Sequence, residues 1–308
     1  MRAWRINRSL LLAWALTLPL AGCIPFRTHP IAVPTSSAQL QTATQEELIE
    51  RVNAIARSIK TLNAAVDIDP TIIHAKAGMA TDIQEIGGYI LMRQPAMLRM
   101  IGLMPIIRTH AFDMVSNGTE FKLWIPPRNK FYIGRNNTVV PGATGLMALR
   151  PQVIWESLLL DPIDSQDVAW EHGSERVIDP KTHKEVRQED YRLDVIRREP
   201  QGLALVRRIY FSRVDLQPRR QTVYENGVIK TENVYDDWKQ YGDAWFPSVI
   251  QISRPVEGYE ITLGILKPTI NEPLSDQQFS LAQPEGAEVI RLTEPAKGAR
   301  VTAQEERK

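Results

Sequence analysis

The sequence predicts a mainly β protein with some helix (α+β), built as a long antiparallel sheet that must curl or close to protect its edges. Three observations carry this. One apolar stripe at helical spacing occupies residues 45–62. Apolar and polar residues then alternate with a period of two over about 64–134 and about 166–270, with turn signals between the runs. A single short helical segment separates the two β-rich stretches.

The chain opens with Arg2, Arg5 and Arg8 and no acid before Cys23, followed by an apolar run from Leu10 to Leu20. That is the layout of a secretion signal. The run is shorter than the ~20 residues a membrane-spanning helix needs. It ends in Leu20-Ala21-Gly22-Cys23, and Cys23 is the one cysteine among 308 residues. A lone cysteine supplies no disulfide framework.

Residues 24–43, "IPFRTHPIAVPTSSAQLQTA", are rich in Pro, Ser, Thr and Gln and read as an extended tether. At Thr44 the pattern changes. Leu48, Val52, Ile55, Ile59 and Leu62 recur at spacings of four and three, and Thr44 with Glu47 forms a capping box. The spacing predicts a helix over 45–62. Strand-like runs follow to about residue 134, broken by turns such as Ser116-Asn117-Gly118. After a Gly-rich segment (Pro141 to Gly145), Pro151 to Leu160 reads as the second helix, with Pro151 in its first turn. Further long strands run to about residue 270, and the tail from 291 to 308 is polar. The expected organisation is therefore a signal over 1–22, a tether over 23–43, one domain over 44–290 and a loose tail.

Without residues 1–22 the chain carries 34 basic against 36 acidic side chains. Such a neutral balance gives no electrostatic footprint for nucleic acid. Apart from Met1, every methionine lies between Met79 and Met147. The runs "GYILMRQP" and "AMLRMIGLMP" are apolar at consecutive positions, whereas "YRLDVIRR" alternates as a sheet with one wet face does. Methionine suits both a gap-filled core and a surface for varied apolar ligands, and the clustering leaves both open.

Leu20-Ala21-Gly22-Cys23 resembles a bacterial lipobox. The resemblance implies a diacylglyceryl group on the Cys23 thiol, cleavage before it and acylation of the new N-terminus. Ile24 after the cysteine, by resemblance to Gram-negative sorting, points to the outer membrane, facing the periplasm. The domain resembles the LolA/LolB-type lipoprotein-carrier superfamily in three stretches: "GYILMRQP" (Gly88 to Pro95), "VSNGTEFKLWIPP" (Val115 to Pro127) and "FSLAQPEG" (Phe279 to Gly286) with Val289 after it. That likeness implies a half-open antiparallel β-barrel with the two helical segments as a lid and an apolar concave face for acyl chains. It places Leu91, Met92, Leu98, Met100, Phe112, Trp124, Trp155 and Leu158 at the cavity. One position departs from the pattern. The soluble carriers have arginine directly before the strand's proline; here Gln94 stands there and the basic residue is Arg93.

No catalytic constellation emerges. The five histidines show no metal-ligand spacing, and there is no nucleophile elbow or P-loop. "GATG" lacks the following lysine, Asp67 and Asp69 read as a solvated strand end, and Asp236-Asp237 beside Trp238 reads as a turn. The expectation is a non-enzymatic membrane-anchored lipoprotein without metal or cofactor. It would bind an acyl chain, lipid or lipoprotein cargo as carrier, receptor or sensor, with envelope transport proteins as further partners. The alternative is an interaction lipoprotein with a filled barrel that binds an envelope partner.

Overall fold

The computed structural model describes residues 33–74, 79–82, 84–138, 150–163, 168–178, 182–200 and 202–292. Cys23, the signal, the first part of the tether, the "GATG" segment and most of the tail lie outside these residues. Among the described residues two α-helices, α1 (Gln45–Ser58) and α2 (Pro151–Leu158), accompany fifteen strands. The first seven are β1 (Thr61–His74), β2 (Met79–Asp82), β3 (Ile86–Arg93), β4 (Met97–Leu103), β5 (His110–Ser116), β6 (Glu120–Ile125) and β7 (Lys130–Arg135). After α2 come β8 (Val168–Ile178), β9 (Glu185–Glu199), β10 (Gly202–Ser212) and β11 (Pro218–Glu225). The series ends with β12 (Val228–Tyr241), β13 (Ala244–Arg254), β14 (Tyr259–Ile270) and β15 (Glu288–Arg291).

All strands belong to one sheet, in the order β15-β7-β6-β5-β4-β3-β1-β14-β13-β12-β11-β10-β9-β8, with β2 paired to β1. The two stretches of hairpins are joined at β1 and β14, which pair antiparallel from Leu62↔Ile270 to Ile72↔Tyr259. Among the described residues the end strands β15 and β8 do not meet. The result is the expected half-open, mainly antiparallel barrel, with both helices against its inner face.

Period-two alternation sets that face. Leu62, Ala64, Val66 and Ile68 of β1 are buried, as are Ile90 and Met92 of β3 and Ile261, Leu263 and Ile265 of β14. They form one continuous core with Leu48, Val52 and Ile55 of α1 and Val153, Ile154 and Leu158 of α2. The capping box of α1 is present: Thr44 Oγ1 accepts from the Glu47 amide and Glu47 Oε2 accepts from the Thr44 amide at 2.8 Å. The helix stops four residues short of the sequence expectation. Ile59 is already extended, and Leu62 belongs to β1. Asn271 ends it from outside, donating Nδ2–H to the Ser58 carbonyl at 2.7 Å and accepting from the Lys60 amide at 2.7 Å. The apolar stripe therefore continues across a change of backbone, because helix and strand bury the same interior.

The outer face is covered in two ways. Over β3 to β6 lies the segment after β14. Arg93 donates to the Leu274 carbonyl at 2.7 Å and pairs with Asp276, and its guanidinium lies 5.2 Å above the Phe279 ring. Arg99 binds Asp113 through both nitrogens and donates to the Gln278 carbonyl at 2.9 Å. The closing strand is β15, around Val289 and parallel to β7, rather than Phe279 to Gly286, where Phe279 ends a short 3-10 turn.

Over β8 to β12 the outer face is a lattice of ion pairs. Arg208 binds Asp194 in two bonds of 2.5 and 2.6 Å, and Arg219 joins Asp190 to Glu175 at 2.7 Å each. Arg192 and Arg220 both stack on Tyr210. Gly173 opposes Asp190, and a Cβ there would lie 2.4 Å from Asp190 Oδ1 and from Arg192 Nε, so glycine leaves room for the pair. The end of the tether is bound to the domain rather than free. Thr35 bridges Arg187, the Gln41 amide donates to the Arg213 carbonyl at 2.6 Å, and Ala43 N–H donates to the Tyr191 hydroxyl.

Candidate ligand-binding faces

The eight candidate cavity residues divide by strand parity. Met92 opposes Leu98, Ile90 opposes Met100, and Gly102 opposes Phe112. Met92, Leu98, Met100 and Phe112 are buried on the inner face, in one core with α1 and with Leu158 of α2. Gly102 makes the room that Phe112 occupies: a Cβ on it would lie 2.3 Å from the ring. Trp155 is half-buried against the same core. Leu91 and Trp124 are half-buried on the opposite face, one residue out of step with Met92 and Leu123. In a strand one residue reverses the direction of the side chain, so Leu91 and Met92 cannot line the same concavity.

The cover over this face is held by packing and a few polar fastenings. Gln94 donates Nε2–H to the Ala56 carbonyl in the last turn of α1 at 3.1 Å, and its amide donates to the Lys60 carbonyl at 2.8 Å. Gln94 thus holds the end of α1, while Arg93 holds the outer strap. Asn53 of α1 exchanges two hydrogen bonds with the main chain of Ile163.

Under α2 the inner face turns polar. Gln221 opposes Asn233, and Arg207, Gln221, Thr231, Asn233 and Arg254 are all buried. Ser157 of α2 donates to Asn233 Oδ1 at 3.0 Å. At the start of α2, Arg150 pairs with Glu257 in the β13–β14 turn, and Glu257 also accepts from Arg254. Burial pushes the Glu257 carboxyl up, but the hydrogen bonds from Arg254 and Arg150 outweigh it and hold the group below the ordinary value. Next to α2 is a cavity of about 600 Å³ between residues 161–162 and β9 to β12. A second, of about 920 Å³, lies between residues 36–41 and the other end of β11 and β12. None of the eight candidates lines either cavity.

Of the other residues singled out in the sequence, Asp236, Asp237 and Trp238 line the second cavity. Asp237, within β12, has φ of 54° and pairs with Lys239 at 2.7 Å. Trp238 donates Nε1–H to the Pro218 carbonyl at 2.8 Å. Asp67 lies between buried Val66 and Ile68 and faces outward with Asp69. Among the described residues no group of three or more potential metal ligands converges.

Two features were missed in the sequence. The β4–β5 turn exposes Ile106 almost completely, at 98%, and Ile107 at 67%. Ile106 and Arg108 have φ of 65° and 53°, a region β-branched residues rarely enter. The local signal was "MPIIRT", two isoleucines after a proline at a turn. The other feature is Arg207, whose burial no local pattern announces.

No family model matches the chain, and no curated protein matches it. Solved structures do resemble its fold. A LolA superfamily protein from Nitrosomonas europaea has 11% identity and a TM-score of 0.45, over 78% of this chain and 99% of that one. A domain from Vibrio parahaemolyticus assigned to outer membrane lipoprotein sorting has 11% identity and a TM-score of 0.45, over 76% and 94%. A DUF1329 family protein from Desulfovibrio piger has 13% identity and a TM-score of 0.48, over 76% and 94%.

The Glu257 contacts give α2 an acid-sensitive fastening. A carboxylate held below its ordinary value of 4.5 contributes stability above that value, and the contribution is lost as pH falls through the folded value. The thermal midpoint is expected to fall more steeply between about pH 5 and pH 3 in the wild type than in Glu257→Gln. Parallel curves would show that the pair does not hold α2.

Proposed function

We propose that this chain is a lipid-anchored envelope protein that receives acyl chains between its inner sheet face and its helical cover, and carries or senses lipid or lipoprotein cargo. One observation carries the reading: an extended apolar sheet face is closed by a helix rather than by a second sheet. Leu48, Val52, Ile55 and Ile59 are buried over Ile90, Met92, Leu98 and Met100. Acyl methylenes can replace those helix contacts at about 0.8 kcal/mol each, the same contribution they make in a bilayer. Exchange between protein and membrane is then nearly balanced, as a carrier requires. The second reading, a filled barrel serving a protein partner, is favoured by the complete burial of Met92 and Met100 beneath α1.

The membrane enters at two places. The lipobox-like Leu20-Ala21-Gly22-Cys23 supports covalent anchoring. The Ile106-Ile107 tip supports a direct bilayer contact: each isoleucine contributes roughly 1.5–3 kcal/mol on burial, and Arg108 beside them suits an anionic surface. Strained backbone that holds apolar side chains out into water is the kind of outlier from which a functional role is inferred.

Three measurements test this. The full chain carrying Cys23→Ala should bind a fluorescent fatty acid. Gln94→Ala, which releases the end of α1 at a cost of about 1 kcal/mol, should increase apparent affinity about fivefold if α1 must move for the probe to enter. No uptake by either protein sinks the acyl reading and leaves the filled barrel. In cells fed an alkyne-tagged palmitate, the wild type should label and Cys23→Ala should not; equal labelling removes the anchor. Ile106→Glu should weaken sedimentation of the Cys23→Ala chain with phospholipid vesicles by an order of magnitude or more, and unchanged sedimentation would free the tip from any membrane role.

A further inference from the structure

The cavity of about 600 Å³ beside α2 lies within the size range of small-molecule sites. Only two of the residues lining it are buried, Arg207 at 8% exposure and Gln221 at 3%, so they form its floor. The Arg207 guanidinium donates to the main-chain oxygens of Asp161 at 2.8 Å and Pro162 at 3.3 Å, and to Gln221 Oε1 at 3.4 Å. All three acceptors are uncharged. Among the described residues no carboxylate comes within ion-pair distance of it, whereas Arg208, Arg219 and Arg254 each have one.

A buried cation is ordinarily paired, because desolvation costs several kcal/mol that neutral acceptors offset only in part. The exposed Asp161 carboxylate attracts the guanidinium from nearby without an ion pair, and a buried cation with no direct ion-pair partner on the floor of an open cavity marks a site for an anion. The walls add the rest of the ligand. Val195, Leu205, Val206 and Val223 line the cavity above the guanidinium. The lining also includes Glu156, Asp161, Glu199 and Glu225 against Arg197, Arg207 and Lys230, a balance that disfavours a head of more than one negative charge.

We propose that this cavity takes an amphiphile with a single negative charge, its carboxylate or phosphodiester on Arg207 and its chain along the valine and leucine walls. This rests on the acyl-binding reading and deepens it: it supplies a polar head site next to the helical cover, in the half of the barrel whose interior is polar. A free fatty acid and a glycerophospholipid share the head chemistry.

The test uses the full chain carrying Cys23→Ala, an anthroyloxy-labelled stearic acid, and the methyl ester of the same probe. The acid is expected to bind at least about tenfold more tightly than the ester. Arg207→Gln should remove that preference, so that acid and ester bind the variant alike. Displacement of the acid by oleate alone assigns the site to fatty acids, and displacement by lysophosphatidylglycerol extends it to phospholipids. If Arg207→Gln does not fold, Leu205→Glu decides: it leaves the Arg207 hydrogen bonds intact, sets a carboxylate in the half-buried wall and should weaken the acid by a larger factor than it weakens the ester. Equal binding of acid and ester to the parent protein overturns the head site while the acyl reading stands. Binding of neither overturns both.

Discussion

The structure depends on one constraint: among the described residues a single sheet has one apolar face and no second sheet to cover it. Fifteen strands in one open sheet cannot bury their inner side against each other across a closed interior. Helices α1 and α2 take that place, and their buried residues share one core with strands from both halves. The pairing of β1 with β14 is what makes this possible. It joins hairpins from opposite ends of the chain into one curved surface, and sets the segment just before β1, which is α1, across the concavity.

The outer face meets the same problem with different means. Over β3 to β6 the chain after β14 is fastened by Arg93 and Arg99, so buried Asp113 sits between strand and strap with a two-bond partner. Over β8 to β12 charged side chains form the surface themselves. Two-bond and stacked arginines hold their geometry better than single exposed pairs, whose contribution is small.

The interior is divided by chemistry. Around Met92, Met100 and Met114 it is aliphatic and methionine-rich. Under α2 it is polar, pinned by Ser157, Asn233, Arg207 and the Arg150–Glu257–Arg254 group. An apolar helix contact slides or lifts with modest loss, while a buried polar network is cooperative and resists partial opening.

Much of this was legible in the sequence because it follows from local periodicity. The capping box at Thr44, the helix start at Pro151, the strand stretches, and the split between Tyr191-Leu193 and Arg192-Asp194 all follow from spacing alone. Boundaries were less legible where one apolar pattern serves two backbones, as at Ile59 to Leu62. The candidate face was half legible. Met92, Leu98, Met100 and Phe112 share a face by parity, but parity also excludes Leu91 and Trp124, which apolar size and position in the resembling strands had added. Tertiary structure decided the rest, through contacts between residues far apart in the chain. Gln94 meets the end of α1, Arg207 meets the main chain of Asp161 across 46 positions, and Asn271 stops a helix 213 positions earlier. A sequence specifies which side chains seek burial and at what period; which partners they find depends on the pairing of distant strands, and no local window contains it.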